Sequence, residues 1–210
     1  VLRAKDFAEC TEEELAELHD LMDRFRFVRA TRRCRRLRPA AGRGRPDLRR
    51  TVHAAMGTAG ELLCWFSVEP GERPRRLVLL LDVSGSMEPY ARALIRFVHA
   101  ASVGRSHVEA FALGTRLTRL TRELATRDPD AALARVTGAV ADWSGGTRLG
   151  DGLAEFNDQW GVRGMARGAR VVILSDGWDR GDPSVMDEQM LRLGRVAHEV
   201  VWVNPLKATP

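Results

Sequence analysis

The sequence predicts an α/β protein: an open, mostly parallel sheet with helices on both faces, preceded by an N-terminal helical and extended segment. Three observations predict it. Leu77–Leu81 and Ala169–Leu174 are continuous apolar runs, closed by Asp82-Val83-Ser84-Gly85-Ser86 and by Ser175-Asp176-Gly177. Such runs mark strands buried on both faces. From Arg76 onward, strand-like and helix-like stretches alternate, the order that a parallel sheet with crossover helices requires. A chain of 210 residues, 44% apolar and 29% charged, has the composition and length for a real core.

The elements follow in order. Thr11–Phe25 reads as a helix: Thr11 and Glu14 form a capping box, and Leu15, Leu18, Leu21, Met22 and Phe25 recur at helical spacing. Acidic residues crowd its first turn, where the helix dipole favours them. Arg29–Arg50, with Pro39, Gly42, Gly44 and Pro46, reads as loop. Asp47–Met56 fits a short helix or a strand, and the pattern does not decide between them. Glu61–Val68 looks like a strand, and Pro70-Gly71 like a turn. After the buried strand at Leu77, Tyr90–Ser102 is an amphipathic helix and His107–Leu113 a second strand. Arg116–Thr121 alternates as a short edge strand would. Asp128-Pro129 starts a helix running to about Val140, with Pro near its first position. Leu149–Trp160 is a further helix, Ala169–Leu174 the third buried strand, Pro183–Val196 a helix and Glu199–Val203 the last strand. The expected division is an N-terminal part, 1–76, and an α/β domain, 77–210.

Charge is distributed unevenly. The chain carries 33 basic and 28 acidic side chains, net +5. Residues 1–76 hold 17 and 12 of these, so the whole net charge lies there. Arg29–Arg50 alone contains ten arginines and one acid, Asp47. A solvated surface, a docking face for an acidic protein and a nucleic-acid contact all fit such a segment. It lacks any aromatic residue for base stacking, which makes nucleic acid the weakest of the three. No stretch approaches the roughly 18 apolar residues of a membrane span, and the first residues lack a signal peptide's apolar run. Cys10, Cys34 and Cys64 are odd in number and scattered, which argues against a disulfide framework or a thiolate zinc site and for a reducing cytoplasm. A chain that starts at Val reads as a trimmed piece of something longer.

In open α/β sheets, ligands bind beyond the carboxyl ends of the strands. Three polar clusters fall there: Asp82-Val83-Ser84-Gly85-Ser86, Ser144-Gly145-Gly146-Thr147 and Ser175-Asp176-Gly177. Asp82, Ser84, Ser86, Thr147 and Asp176 are hard oxygen donors with no imidazole or thiolate among them. That set suits Mg2+ or Mn2+ over zinc, with Ca2+ as a further candidate. Gly85 allows a tight turn that aims alternate side chains at one point. Helix capping is the plain alternative for Asp82 and Asp176. Asp151 falls one helical turn past Thr147, and Asp179 and Asp182 read as loop caps. Trp143 and Trp178 flank the clusters, and rim and core positions fit both equally. The five histidines are dispersed and take no role.

D-x-S-x-S after a strand, G-G-T at a helix entrance and S-D-G after a later strand resemble the metal-ion-dependent adhesion site of von Willebrand factor A domains, a Rossmann-like fold. The resemblance places Asp82, Ser84, Ser86, Thr147 and Asp176 at the metal. RRLVLLLDVSGSMEPYARALIRFVHA, VEAFALGTRLTRLTREL, SGGTRLGDGLAEF, VVILSDGWDRGDP and VVWVNPL are similar to the CoxE branch of these proteins. TRRCRRLRPA and PDLRRTVHAAMGTAGELL are similar to the segment before the A domain in that branch. The resemblance implies a cytoplasmic, non-enzymatic adaptor. Its partners would be a MoxR-type AAA+ ATPase and a client metalloenzyme such as carbon monoxide dehydrogenase, met through an acidic side chain at the metal. Where that family usually continues, this chain stops soon after Asn204-Pro205.

Enzyme readings have less behind them. The sequence has no G-x-S-x-G elbow and no phosphate-binding G-x-x-x-x-G-K-[ST] loop. A Mg2+-dependent phosphoesterase or nuclease built on Asp82 and Asp176 is the alternative of a different class, and an Arg-rich nucleic-acid binder is the third.

Overall fold

A computed structural model describes residues 31–87, 95, 98–99, 107–140 and 147–204. The expected helix over Thr11–Phe25, the bounds of the one over Tyr90–Ser102, and Trp143 to Gly146 lie outside the described residues. The described chain forms two compact units, one within Ala30–Pro74 and one from Arg75 onward.

The first unit is a three-stranded antiparallel sheet with one helix. Strand β1 (Thr31–Ala40) pairs with β3 (Ser67–Pro74), and the two-residue β2 (Arg45–Pro46) pairs with the other side of β3. The arginine-rich segment is therefore largely strand where the sequence reads as loop. Nothing in TRRCRRLRPA alternates apolar with polar; its strand exists because β3 supplies the ladder, a tertiary override of propensity. Pro70-Gly71 is not a turn either. Arg33 faces Glu72 and Leu37 faces Pro70, so Cys34, Arg35 and Arg36 bulge opposite Gly71. A side chain on Gly71 would come within 3.0 Å of the Arg36 carbonyl oxygen, so the bulge packs tightly over this glycine. Glu61–Phe66 has no regular structure, and the strand expected there starts at Ser67. The undecided segment is a helix, α1 (Leu48–Met56), whose amide at Arg50 donates to the Asp47 carboxylate at 3.1 Å.

The second unit is the expected α/β layer structure. Its five-stranded sheet runs β6 (Leu117–Arg119), β5 (Val108–Leu113), β4 (Leu77–Asp82), β7 (Arg170–Leu174), β8 (Glu199–Val203). All neighbours are parallel except the short edge strand β6. Every residue of β4 is buried, because the pleat sends alternate side chains to two separate cores. Leu77, Leu79 and Leu81 pack with Val172, Leu174, Ile95 and Val136 on one face. Val78 and Leu80 pack with Phe111, Ile173, Leu153 and Phe156 on the other. Helix α2 (Pro129–Ala139) begins as expected, with Asp128 accepting from the Asp130 amide at 2.9 Å and Pro in its first turn. Helix α3 (Leu149–Phe156) continues as a π-helix, Asn157–Met165, beyond the expected end at Trp160. Helix α4 (Pro183–Val196) is capped by Asp182, which accepts from the Ser184 amide at 2.9 Å. His99 is buried, its Nε2 2.7 Å from the Thr126 carbonyl oxygen, a packing role.

Candidate metal centre at the strand ends

The centre of this sheet ends in Asp82. Leu81 of β4 lies opposite Leu174 of β7 in parallel register, so one step further the chain sets Asp82 beside Ser175. The Ser175 hydroxyl donates to Asp82 Oδ2 at 2.6 Å. On the other oxygen, Oδ1 accepts from the Ser84 amide at 2.9 Å and from the Thr147 hydroxyl at 3.2 Å. The Ser84 hydroxyl also reaches this carboxylate. Asp82, Ser84, Thr147 and Ser175 are all buried, with Asp82 only 1% exposed.

A carboxylate so placed loses most of its hydration. Burial raises the Asp82 pKa above the ordinary aspartate value; the bonds from Ser175 and Ser84 oppose the rise, and the nearby charge of Asp176 adds to it. A hydroxyl donor neutralises no charge, so the buried anion is stabilised only in part.

Asp176 is held by its own loop. Its Oδ1 accepts from the Trp178 amide at 2.9 Å, and its backbone carbonyl accepts from Asn204 Nδ2 at 2.9 Å. Trp202 Nε1 donates to the Ser175 carbonyl at 2.9 Å. Both anchors come from the end of β8. The Gly177 amide donates to Ser175 Oγ at 3.0 Å, and Gly177 itself takes φ +82, a left-handed conformation that glycine adopts without strain as the loop turns. Trp178, beside this turn, is 79% exposed, which excludes the core position its sequence context also allowed.

Asp179 ties the two loops together. Its carboxylate accepts from the amides of Leu149, Gly150 and Gly181 at 2.9, 3.0 and 2.9 Å. Arg148, the N-cap residue of α3, makes no side-chain cap bond, so Asp179 caps that helix from 30 residues away. The Arg180 amide also donates to the Thr147 carbonyl at 3.3 Å. The loop that carries Asp176 and the loop that carries Thr147 are thus stitched into one piece. Asp151 forms an exposed pair with Arg148 at 3.6 Å.

Of the five expected site residues, Asp82, Ser84 and Thr147 are in direct hydrogen-bonded contact and Asp176 is within electrostatic reach. Ser86 lies in the short 3-10 turn Gly85–Met87, and its side chain is outside the described set. Ser175 was not expected at the site. Its signal was the parallel register of two apolar runs, which places the residue after one beside the residue after the other. The donor set fits a hard divalent cation: carboxylate lone pairs remain on Asp82 beyond the bonds named, each hydroxyl oxygen retains lone pairs, and the buried anion lacks a full counter-charge. Among the described residues no three His, Cys, Asp or Glu side chains converge, so the hydroxyls would have to be part of any such site.

A family model described as "VWA domain containing CoxE-like protein" matches residues 18–210. No curated protein matches the chain. Among solved structures, the chain is similar to a von Willebrand factor type A protein from Catenulispora acidiphila (16% identity, TM-score 0.42, covering 66% of this chain and 36% of that one). It is also similar to the manganese-loaded TRAP protein of Plasmodium vivax (23% identity, TM-score 0.43, covering 61% and 57%). A third is proximal thread matrix protein 1 from the mussel byssus (14% identity, TM-score 0.43, covering 62% and 37%). The chain thus spans between about a third and somewhat over half of the length of these solved chains.

Proposed function

We propose, for a chain that belongs to the family of CoxE-like proteins containing a VWA domain, that it is a non-enzymatic adaptor which takes hold of an acidic side chain on a partner protein at the Asp82 cluster. In this reading residues 77–210 form the von Willebrand factor A domain, and residues 1–76 are a separate N-terminal part. The partner is a MoxR-type AAA+ ATPase, and the pair acts in the cytoplasm on a client metalloenzyme; these identities are carried by the resemblance. Among the described residues no helix is long and apolar enough to cross a membrane.

The observation that carries the reading is the buried Asp82 carboxylate with the Ser84, Thr147 and Ser175 hydroxyls gathered around it at the ends of two adjacent strands. Asp82, Ser84, Ser86, Thr147 and Asp176 would hold Mg2+, or Mn2+ or Ca2+ in its place. When bound, the ion supplies residual positive charge and an open coordination position for a partner's carboxylate. The chain's own residues do the positioning. Ser175 and Thr147 fix both oxygens of Asp82, which leaves its orientation no freedom. Asp179 keeps the Thr147 and Asp176 loops in register, and Trp178 offers an exposed aromatic surface beside them.

The test is affinity capture from a lysate of the source organism, with mass spectrometry, using wild type and Asp82→Asn, each with Mg2+ and with chelator. Capture of a AAA+ ATPase by wild type in Mg2+ alone supports the reading. Equal capture in all four conditions refutes a role for the cluster.

A further inference from the structure

The unit within Ala30–Pro74 lacks what a folded unit of its size needs. Among its described residues no apolar side chain is buried, and its buried side chain is Thr51. Yet it exposes Leu48, Val52 and Met56 at 62%, 56% and 75%, and Leu62, Leu63 and Trp65 at 57%, 70% and 66%. Units of about 40 residues normally rely on disulfides, metals or association. Cys34 and Cys64 are free thiols.

Apart from Leu37 on β1, 48% exposed, the exposed large apolar residues of this unit lie on one helix–loop element. Leu48, Val52 and Met56 recur every fourth residue along α1, so they form one stripe. The segment after the helix runs back beside it: the Gly60 amide reaches the Ala55 carbonyl at 2.8 Å, and the Phe66 amide reaches the Thr51 hydroxyl at 3.1 Å. Arg50 lies over the Phe66 ring, 4.3 Å from its centre. An open concavity on this surface is lined by Asp47, Leu48, Arg49, Arg50, Val52, His53 and Met56. Its charged lining is two arginines, Arg49 and Arg50, and one acid, Asp47, which accepts from the Arg50 amide as the cap of α1. Residues 30–74 hold ten arginines and four acids, net +6, more than the whole chain's +5. Arg38 is paired with Glu69 at 2.9 Å, while Arg32, Arg33, Arg35, Arg36, Arg45 and Arg49 are exposed.

We propose that this surface is a second docking site, separate from the Asp82 cluster, for an acidic amphipathic helix of a partner protein. The apolar stripe takes the partner's apolar face, and the arginines take the acids that flank it. Charge complementarity selects an acidic occupant. The aliphatic stripe selects protein over nucleic acid, whose phosphates and bases have no use for Leu48, Val52 and Met56 together.

The experiment uses the full chain and a fluorescent peptide of about 20 residues, long enough to be helical once bound, with Leu at helical spacing and Glu at the other positions. The controls are the same composition scrambled to break the stripe, and a short DNA duplex. The expected result is saturable peptide binding that is unchanged by chelator or by Asp82→Asn and weakened by salt. Val52→Asp/Met56→Asp should weaken it at least about tenfold, as should Arg49→Glu. Both variants change exposed side chains, and an unchanged melting transition confirms their fold. No peptide binding, equal binding of the scrambled peptide or of DNA, or undiminished binding by both variants overturns the proposal. Loss with chelator alone would assign the binding to the Asp82 site and overturn it equally.

Discussion

The Ser175 hydroxyl donates to Asp82 Oδ2 at 2.6 Å and so joins the ends of β4 and β7 at the centre of the sheet. The Ser175 hydroxyl oxygen in turn accepts from the Gly177 amide. One hydroxyl therefore orients the carboxylate and fixes the loop that carries Asp176.

Ser175→Ala removes both bonds in a buried setting. The expected loss of stability is about 1–3 kcal/mol, the range for leaving a buried polar group unsatisfied, measured by chemical denaturation. The Ser175 bond holds the Asp82 pKa down against burial, so the variant's carboxylate protonates at higher pH. Divalent-metal affinity in the variant should then fall off at a higher pH than in wild type, which metal titrations at several pH values would show.

Asp179→Ala leaves the amides of Leu149, Gly150 and Gly181 without their acceptor. The expected cost is about 1–2 kcal/mol from the lost cap in chelator, and more with metal, because the loops that carry Thr147 and Asp176 are no longer held together. Hydrogen exchange should speed up at the start of α3 and in the loop after Asp179. Unchanged protection at Leu149 and Gly150 would contradict the stitching role.

Helix and site differ in how readable they were. The strands at Leu77 and Ala169 announce themselves because burial on both faces demands unbroken apolar runs. Asp82, Thr147 and Asp176 stand out because three separate polar clusters fall together at the ends of strands and the start of a helix, where one carboxylate alone would read as a cap. Asp179 was legible as a loop cap but not as the cap of α3, since the amides it serves lie 29 and 30 residues away. Strand β1 was hidden for a related reason: its arginines carry no alternation, and its pairing with β3 is visible only in three dimensions.

Asp182 gives a pH signature of opposite sign to Asp82. Bonds from the Ser184 amide and hydroxyl lower its pKa from 3.8. A depressed carboxylate pKa stabilises the fold above the unfolded value and loses that contribution as pH falls through the folded one. Asp182→Ala should melt below wild type at pH 7, and the two should converge below about pH 4, the ordinary carboxylate range. A gap independent of pH would contradict the cap.

Trp178 is 79% exposed, so Trp178→Ala should leave stability within about 0.5 kcal/mol of wild type. Beside the Asp176 loop it should contribute to partner capture, with a loss of roughly tenfold in affinity, the scale of an exposed aromatic anchor at an interface. Unaltered capture would remove Trp178 from the binding face.

The central claim is that the Asp82 cluster is a cation site, and thermal melting of wild type and Asp82→Asn in chelator and in Mg2+ or Mn2+ tests it most directly. In chelator the neutral variant should melt no lower than wild type, since burial disfavours the Asp82 charge. With metal at about 100 times its dissociation constant, wild type should gain about 2.7 kcal/mol and the variant nothing. No gain in wild type, or the same gain in both, would contradict the account.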